Sequence, residues 1–505
     1  MAATSMVCDL CNRHHGPVAR VYSLKLHVFI TWSLFVSTVL RMNPLVVRSA
    51  IVASLGGLIF GFDTAVISGT TDALKAVFHL SDSGLGFTVA IALIGTIAGA
   101  LVAGKMADLF GRKKMLFAIG VLYVLGALGT ALTNDYTIFM ISRFLGGVGV
   151  GAASVCAPIY TAEVAPPAVR GRLVGMVQFN IVLGILLAYG SNAIIAAVAS
   201  PDVAWRWMFG VMAIPAVAFL ALLTTVPETP RWLLSVDRDQ EGEAVLRQLC
   251  NTDEEAQFEL QEIHASLAAA ENAKDAPFFT PEHRKVILLA IAIAAFNQLS
   301  GINAILYYAP EVMKGAGASG NAALWTSVGV GFMNLIATMA ALSVIDKIGR
   351  RKLMIVGSIG YLISLTFLAV VLFAYAGNYN STSAVLVLAG LLVFIAAHAF
   401  GQGSVIWVFI SEIFPNRIRG RGQSLGSLTH WVFAALTSYA FPPIVGALGG
   451  GVGFSIFALF MVGQLIWVLK VMPETKGVPL EEMEYRLGLV HDNPAGPGPA
   501  PTLRH

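Results

Sequence analysis

Apolar residues in this chain gather in runs long enough to cross a lipid bilayer. Twelve such runs follow residue 42, with cores at 45–69, 87–103, 115–132, 137–157, 173–199 and 208–226, then 286–309, 323–345, 353–376, 384–410, 425–448 and 452–472. A membrane helix needs about 20 mostly apolar residues, so the pattern predicts twelve spans, numbered 1 to 12 below. The runs lack strict two-residue alternation, which argues against a lipid-facing barrel. Glycine recurs inside them, where small residues let helices pack closely in lipid.

Charge between the runs gives the orientation. Lys105, Arg112, Lys113 and Lys114 follow span 2, and Arg170 and Arg172 follow span 4. Lys347, Arg350, Arg351 and Lys352 follow span 8, and Arg417, Arg419 and Arg421 follow span 10. The opposite loops hold only Lys75, Arg206 and Lys314. Basic loops stay on the cytoplasmic side, so both ends of the twelve-span unit are expected inside. The predicted organisation is an N-terminal extension at 1–41, a six-span bundle at 42–230, a cytoplasmic helical linker at 231–284, a second six-span bundle at 285–482 and a disordered tail at 483–505. The apolar run at 21–40 has three readings: a further span, a signal-like segment, or an upstream extension without a role in transport. The last is preferred.

Composition excludes the large soluble classes. Of 505 residues, 56% are hydrophobic and 12% charged, against about 25% charged in soluble domains. The net charge of +3 gives no sign of nucleic-acid binding. Cys8 and Cys11 with His14 and His15 look like half a zinc site, but no second ligand pair follows at a usable spacing. Gly99 to Lys105 comes close to a phosphate-binding loop, yet Met106 stands where Ser or Thr is needed, and the glycines end a membrane run instead of following a strand. No catalytic triad or metal-ligand set stands out. Neither an enzyme, a cofactor nor a resident metal is therefore expected.

The two halves repeat their punctuation. Gly104, Asp108, Gly111 and Arg112 after span 2 match Asp346, Gly349 and Arg350 after span 8. Glu163 with Arg170 and Arg172 at the end of span 4 matches Glu412 with Arg419 and Arg421 at the end of span 10. Pro227-Glu228-Thr229-Pro230-Arg231 after span 6 matches Pro473-Glu474-Thr475-Lys476 after span 12. Three motif pairs in one order imply two similar six-helix bundles that rock about a site near the membrane midplane.

These endings, with the run from Gln298 through Asn303 to Tyr307 and Tyr308 in span 7, resemble the sugar porter family of the major facilitator superfamily over about 42–482. The resemblance implies an all-α membrane fold of twelve helices in two pseudo-symmetric bundles, and transport of a sugar or polyol by alternating access. A plasma-membrane carrier, or an inner-membrane one in a Gram-negative bacterium, is expected, with the lipid bilayer, a monosaccharide or polyol and a proton as partners, and a monomer is the working expectation. The resemblance also makes Asp108, Arg112, Glu163, Arg170, Asp346, Arg350, Glu412 and Arg419 a cytoplasmic latch, closed when the carrier faces outward.

Polar groups inside spans are costly and tend to be functional. Gln178, Asn180, Asn297, Gln298, Asn303, Asn334, Gln402, Trp407, His430 and Trp431 are such positions. Amides can donate to and accept from sugar hydroxyls, and aromatic faces suit sugar C–H surfaces. By resemblance, Gln178, Gln298, Asn303, Asn334 and Trp407 match sugar contacts. His430, beside Trp431, is a further candidate, while His398 reads as structural. Asn297, His430 and Ser404 depart from the residues usual in the family, which leaves the particular sugar open. Ile185 in span 5 resembles the glucose facilitators.

Asp63 in span 1 and Arg143 in span 4 are charges inside apolar helices. Such charges face a cavity or each other. Burial raises a carboxyl pKa and a nearby arginine lowers it, so this pair is a candidate proton switch. By resemblance, proton-coupled sugar porters carry Asp at this position and passive facilitators commonly carry Asn. Met212 stands where some proton-coupled xylose carriers have Glu, so any relay must run without it. The preferred reading is proton:monosaccharide symport. A passive uniporter and a non-transporting sugar sensor are the alternatives.

Overall fold

The computed structural model describes residues 43–489, apart from 168, 273–276, 416–417 and 479 and the side chains of 269–272, 346 and 480–481. The Cys-x-x-Cys stretch, the run at 21–40, the tail beyond 489 and the Asp346 carboxyl therefore lie outside the described residues.

Among the described residues, twelve helices are long and apolar enough to cross a membrane. Spans 1 to 6 are Pro44–Gly69, Asp82–Phe110, Arg112–Leu132, Tyr136–Val164, Arg170–Val198 and Pro201–Leu223. Spans 7 to 12 are Arg284–Gly315, Gly320–Ile348, Arg350–Ala374, Ser381–Ile413, Arg419–Leu448 and Gly450–Lys470. Several outrun their apolar cores because polar caps carry the helix beyond the lipid. Ser81 accepts from the Gly84 N–H, and Asp135 from the Ile138 N–H, satisfying donors that a helix start leaves unpaired. Span 6 begins at Pro201, where a proline at the first helical position suits the backbone.

Three spans are interrupted. Span 6 passes through a turn at Val211 and Met212, span 7 breaks at Ser300 and Gly301, and span 10 contains a π-turn at Ala399–Gly403. Three shorter helices, Pro230–Ser235, Asp239–Leu249 and Asp253–Asn272, follow span 6 and pack through Leu234, Leu246 and Ala256. Asn43 at the start of span 1 donates to the Gln248 carbonyl at 2.7 Å and ties these helices to the first half.

Within the first half, spans 1 and 5 nearly touch. A Cβ added to Gly61 would meet the Ile181 carbonyl oxygen at 1.9 Å, and one on Gly184 would meet that of Leu58 at 2.0 Å. Any larger residue would push these helices apart. Large apolar side chains such as Leu101, Leu132, Val198, Ile214, Val385 and Leu459 point out of the protein, as a lipid-facing surface requires.

The interactions that join the halves lie from mid-depth to the outer end. Tyr189 donates to the Leu306 carbonyl at 2.6 Å, Lys314 pairs with Asp72, and the Phe60 and Trp431 rings lie 5.8 Å apart. Spans 2 and 11 pack closely where Gly86 faces the Tyr439 backbone, again toward the outer ends. With basic loops inside, this is an inward-facing arrangement.

Candidate functional site

The charged pair in the first half is formed. Arg143 donates from Nη1 to Asp63 Oδ1 at 2.8 Å, with both side chains 4% exposed. The guanidinium carbon also lies 5.4 Å from the centre of the Phe209 ring. Beside the pair is a cavity of about 10 Å³ lined by Asp63, Thr64, Arg143, Tyr307 and Trp431 among others. Tyr307 and Trp431 come from the second half, so a charge pair held on spans 1 and 4 is roofed by spans 7 and 11.

A polar and aromatic cluster adjoins it. Gln298 Nε2 lies 3.2 Å from His430 Nε2 and donates to Asn297 Oδ1 at 3.0 Å. Gln298 Oε1 is buried and has no partner among the described residues, which leaves an acceptor for an incoming hydroxyl. His430 stands between two indoles, with ring centres 5.1 Å from Trp407 and 4.8 Å from Trp431. Trp407 is 39% exposed, high for a tryptophan on the same helix as fully buried Gln402.

The structure thus brings together Gln298, Trp407 and His430. Asn303, just past the span 7 break, and Asn334 on span 8 are buried, and Gln178 on span 5 is half-buried. Among the described residues no hydrogen bond links these three to the cluster; the Asn334 side-chain oxygen Oδ1 accepts from the Thr338 hydroxyl at 3.4 Å. Asn180 donates to Ser54 within the first half at 2.7 Å. Gln402 turns away and donates to Gln464 on span 12 at 2.9 Å. Met212 and Ile185 are buried and apolar.

The basic corners are built alike in both halves. Gly111 and Gly349 adopt φ of +99° and +98°, which side-chain-bearing residues rarely tolerate, and turn the chain into spans 3 and 9. Arg112 then reaches Glu163 at 3.0 Å, and Arg350 reaches Glu412 at 2.8 Å. Asp108 also meets Arg112 at 2.9 Å, though its carboxylate is well exposed. The sequence placed Glu163 beside Arg170, and Glu412 beside Arg419, but neither arginine is the partner. Arg170 is exposed, with a long hydrogen bond to the Ala165 carbonyl at 3.4 Å, and two buried guanidinium nitrogens of Arg419 have no partner among the described residues. Both arginines are the first residue of the helix that follows the glutamate. Moreover, the pairs are formed while the halves are joined at the outer end. Each pair lies within one half, between spans 3 and 4 or between spans 9 and 10.

The Pro-Glu-Thr repeats complete these corners, a role that sequence reasoning missed. Glu228 accepts from the Lys113 N–H at 3.0 Å, and Glu474 from the Arg350 N–H at 2.9 Å. Each carboxylate sits at a helix N-terminus, where the backbone dipole favours an anion. Burial pushes the Glu228 carboxyl above the ordinary glutamate range, while the Thr229 and Lys113 N–H groups pull it back. Thr229 donates to Glu163, and Thr475 to Glu412, each at 2.6 Å. The signal was present as a twice-repeated motif following spans 6 and 12. No group of described residues could hold a metal ion.

The family of sugar (and other) transporters matches residues 49–487. The chain belongs to the sugar transporter family. As a sugar transporter it is 38% identical over 472 residues to the D-xylose-proton symporter of Escherichia coli strain K12, covering 86% of this chain and 94% of that one. It is 35% identical over 438 residues to the arabinose-proton symporter of Bacillus subtilis, covering 86% and 93%. Its fold matches the inward-open xylose transporter from Escherichia coli with a TM-score of 0.77 and 36% identity, over 87% of this chain and 99% of that one. The protein is a multi-pass carrier of the plasma membrane with the twelve-helix architecture of the major facilitator superfamily, and its chemistry is transport, not catalysis.

Proposed function

We propose that this transporter carries a monosaccharide together with a proton by alternating access. The observation that carries the reading is the buried Asp63–Arg143 pair, 2.8 Å long and covered by second-half residues that adjoin the polar cluster. Asp63 takes up and releases the proton, and Arg143 holds the ionised form. Gln298, Trp407 and His430 receive the sugar, with Gln178, Asn303 and Asn334 joining them as the halves close around it. The bundles at 42–230 and 285–482 are the rocking bodies, linked through 231–284, and one copy in the bilayer suffices. The corners held by Arg112–Glu163 and Arg350–Glu412, with Asp108, Arg170, Asp346 and Arg419, form the surfaces that meet when the inner end shuts.

Purified protein in liposomes, given a panel of sugars with a pH dye inside, tests this reading. Sugar uptake accompanied by internal acidification supports symport. Uptake without any proton movement favours the passive uniporter, a reading that the apolar Met212 in span 6 keeps in play.

A further inference from the structure

The π-turn at Ala399–Gly403 separates two α-helical parts of span 10, Ser381–His398 and Ser404–Ile413. A π-turn holds one residue more than an α-turn, and such turns concentrate at functional sites. Each helical residue advances the helix by about 100°, so one extra residue resets the face of everything that follows. Trp407 lies four residues beyond this turn, and the reset leaves it against His430.

The turn is tied to neighbouring spans by polar groups with no part in the cluster. Gln402, inside the turn, donates to Gln464 of span 12 at 2.9 Å, and Gln464 donates to Ser358 of span 9 at 2.8 Å. All three residues are 0% exposed. At the two ends of the turn, Ser404 donates to the Ala399 carbonyl at 2.7 Å, and the His398 ring meets the Tyr361 hydroxyl at 2.5 Å. Two amides buried here and bonded to each other would be a poor choice for mere filling, since apolar side chains pack there without needing partners. Their geometry serves to fix the turn.

We propose that the Gln402–Gln464–Ser358 relay consists of positioning residues, which clamp the π-turn to spans 9 and 12 and thereby aim Trp407 at the sugar. This rests on the reading that Trp407 faces the transported sugar.

The test compares Gln464→Leu, which breaks the relay, with Gln464→Glu, which keeps an acceptor for Gln402. Two readouts are taken on full-length protein in liposomes. The first is the rate at which a thiol reagent labels Trp407→Cys, in a background with Cys8, Cys11 and Cys250 changed to Ser; Cys156 is buried. The second is KM and kcat for sugar exchange with Trp407 intact. Gln464→Leu should change the labelling rate at least threefold and raise KM about tenfold with kcat within twofold, while Gln464→Glu stays within twofold of the parent throughout. Unchanged labelling in Gln464→Leu overturns the clamp, as does an equal disturbance in both variants, which would mark simple packing. If Gln464→Leu fails to fold, Ser358→Ala replaces it, and parent-like labelling there overturns the clamp equally. Altered labelling with unchanged KM upholds the clamp and removes Trp407 from the sugar site.

Discussion

Arg143 holds Asp63 at 2.8 Å across spans 4 and 1, and a tryptophan and a tyrosine from the other half close over them. An unpaired charge there would be costly, so the pair and its cover must change together. Asp63→Asn keeps the shape and removes the charge. It should abolish uphill sugar accumulation and sugar-driven proton uptake, yet keep sugar binding and counterflow. A variant that still concentrates sugar against a gradient would refute the coupling role.

Gln298 offers an unpartnered buried oxygen, and Asn303 is buried with no side-chain partner among the described residues. Losing one hydrogen bond to a ligand costs about 1 to 1.5 kcal/mol, near tenfold in affinity. Gln298→Ala or Asn303→Ala should therefore raise KM about tenfold, with surface expression close to that of the parent. Equal sugar affinity in the purified variants would remove these residues from the site.

Arg112 and Arg350 each bind a glutamate and the carbonyl of an earlier turn, at 3.0 and 3.3 Å for the carbonyls of Ala107 and Ile345. Arg112→Ala or Arg350→Ala leaves a carboxylate at the corner without its partner. Each should slow transport several-fold and, by loosening a surface needed for inner closure, move the carrier further toward inward-facing. Turnover and inner-side thiol accessibility measure this, and parent-like values in both variants would refute it.

Lys314 and Asp72 form an ion pair between the halves at the outer end. Exposed pairs contribute about 0.2 to 1 kcal/mol, so Asp72→Asn should shift the balance toward outward-facing by at most about fivefold. The charge swap Asp72→Lys with Lys314→Asp should restore the parent balance, and the effect should fade in high salt. Nearby, the Asp82 hydrogen bond raises the Lys75 pKa above its ordinary 10.5. What that pair adds to stability is complete below 10.5 and is lost only as pH rises through the raised value. Outer-side accessibility of the single and the swapped Asp72 and Lys314 variants, compared at low and high salt, measures the shift.

Apolar run length and repeated punctuation made the twelve spans and the two halves legible, because lipid forces both features onto the chain. Partner choice was less legible. Glu163 has Arg170 seven residues away, yet it binds Arg112, 51 residues earlier, because the positive-φ glycine corner brings span 3 back beside span 4. The span 10 π-turn was invisible, since Gly401, Gln402 and Gly403 also suit a straight helix lining a cavity. Gln402 looked like a sugar contact by residue type alone. In the structure Trp407 lies beside His430, while Gln402, inside the turn, bonds Gln464 of span 12.

The roof over Asp63 has a consequence for how the two repeats can be separated. The first bundle owns the charge but not its cover, and the second owns Gln298, His430 and Trp407 but no coupling pair. Expressed alone, the first would present an open ion pair to lipid or water, and the second an amide–imidazole cluster with nothing to report to. The similarity of the halves is one of scaffold, and a carrier assembled from two first halves would hold two buried ion pairs and lack the Gln298–His430–Trp407 cluster.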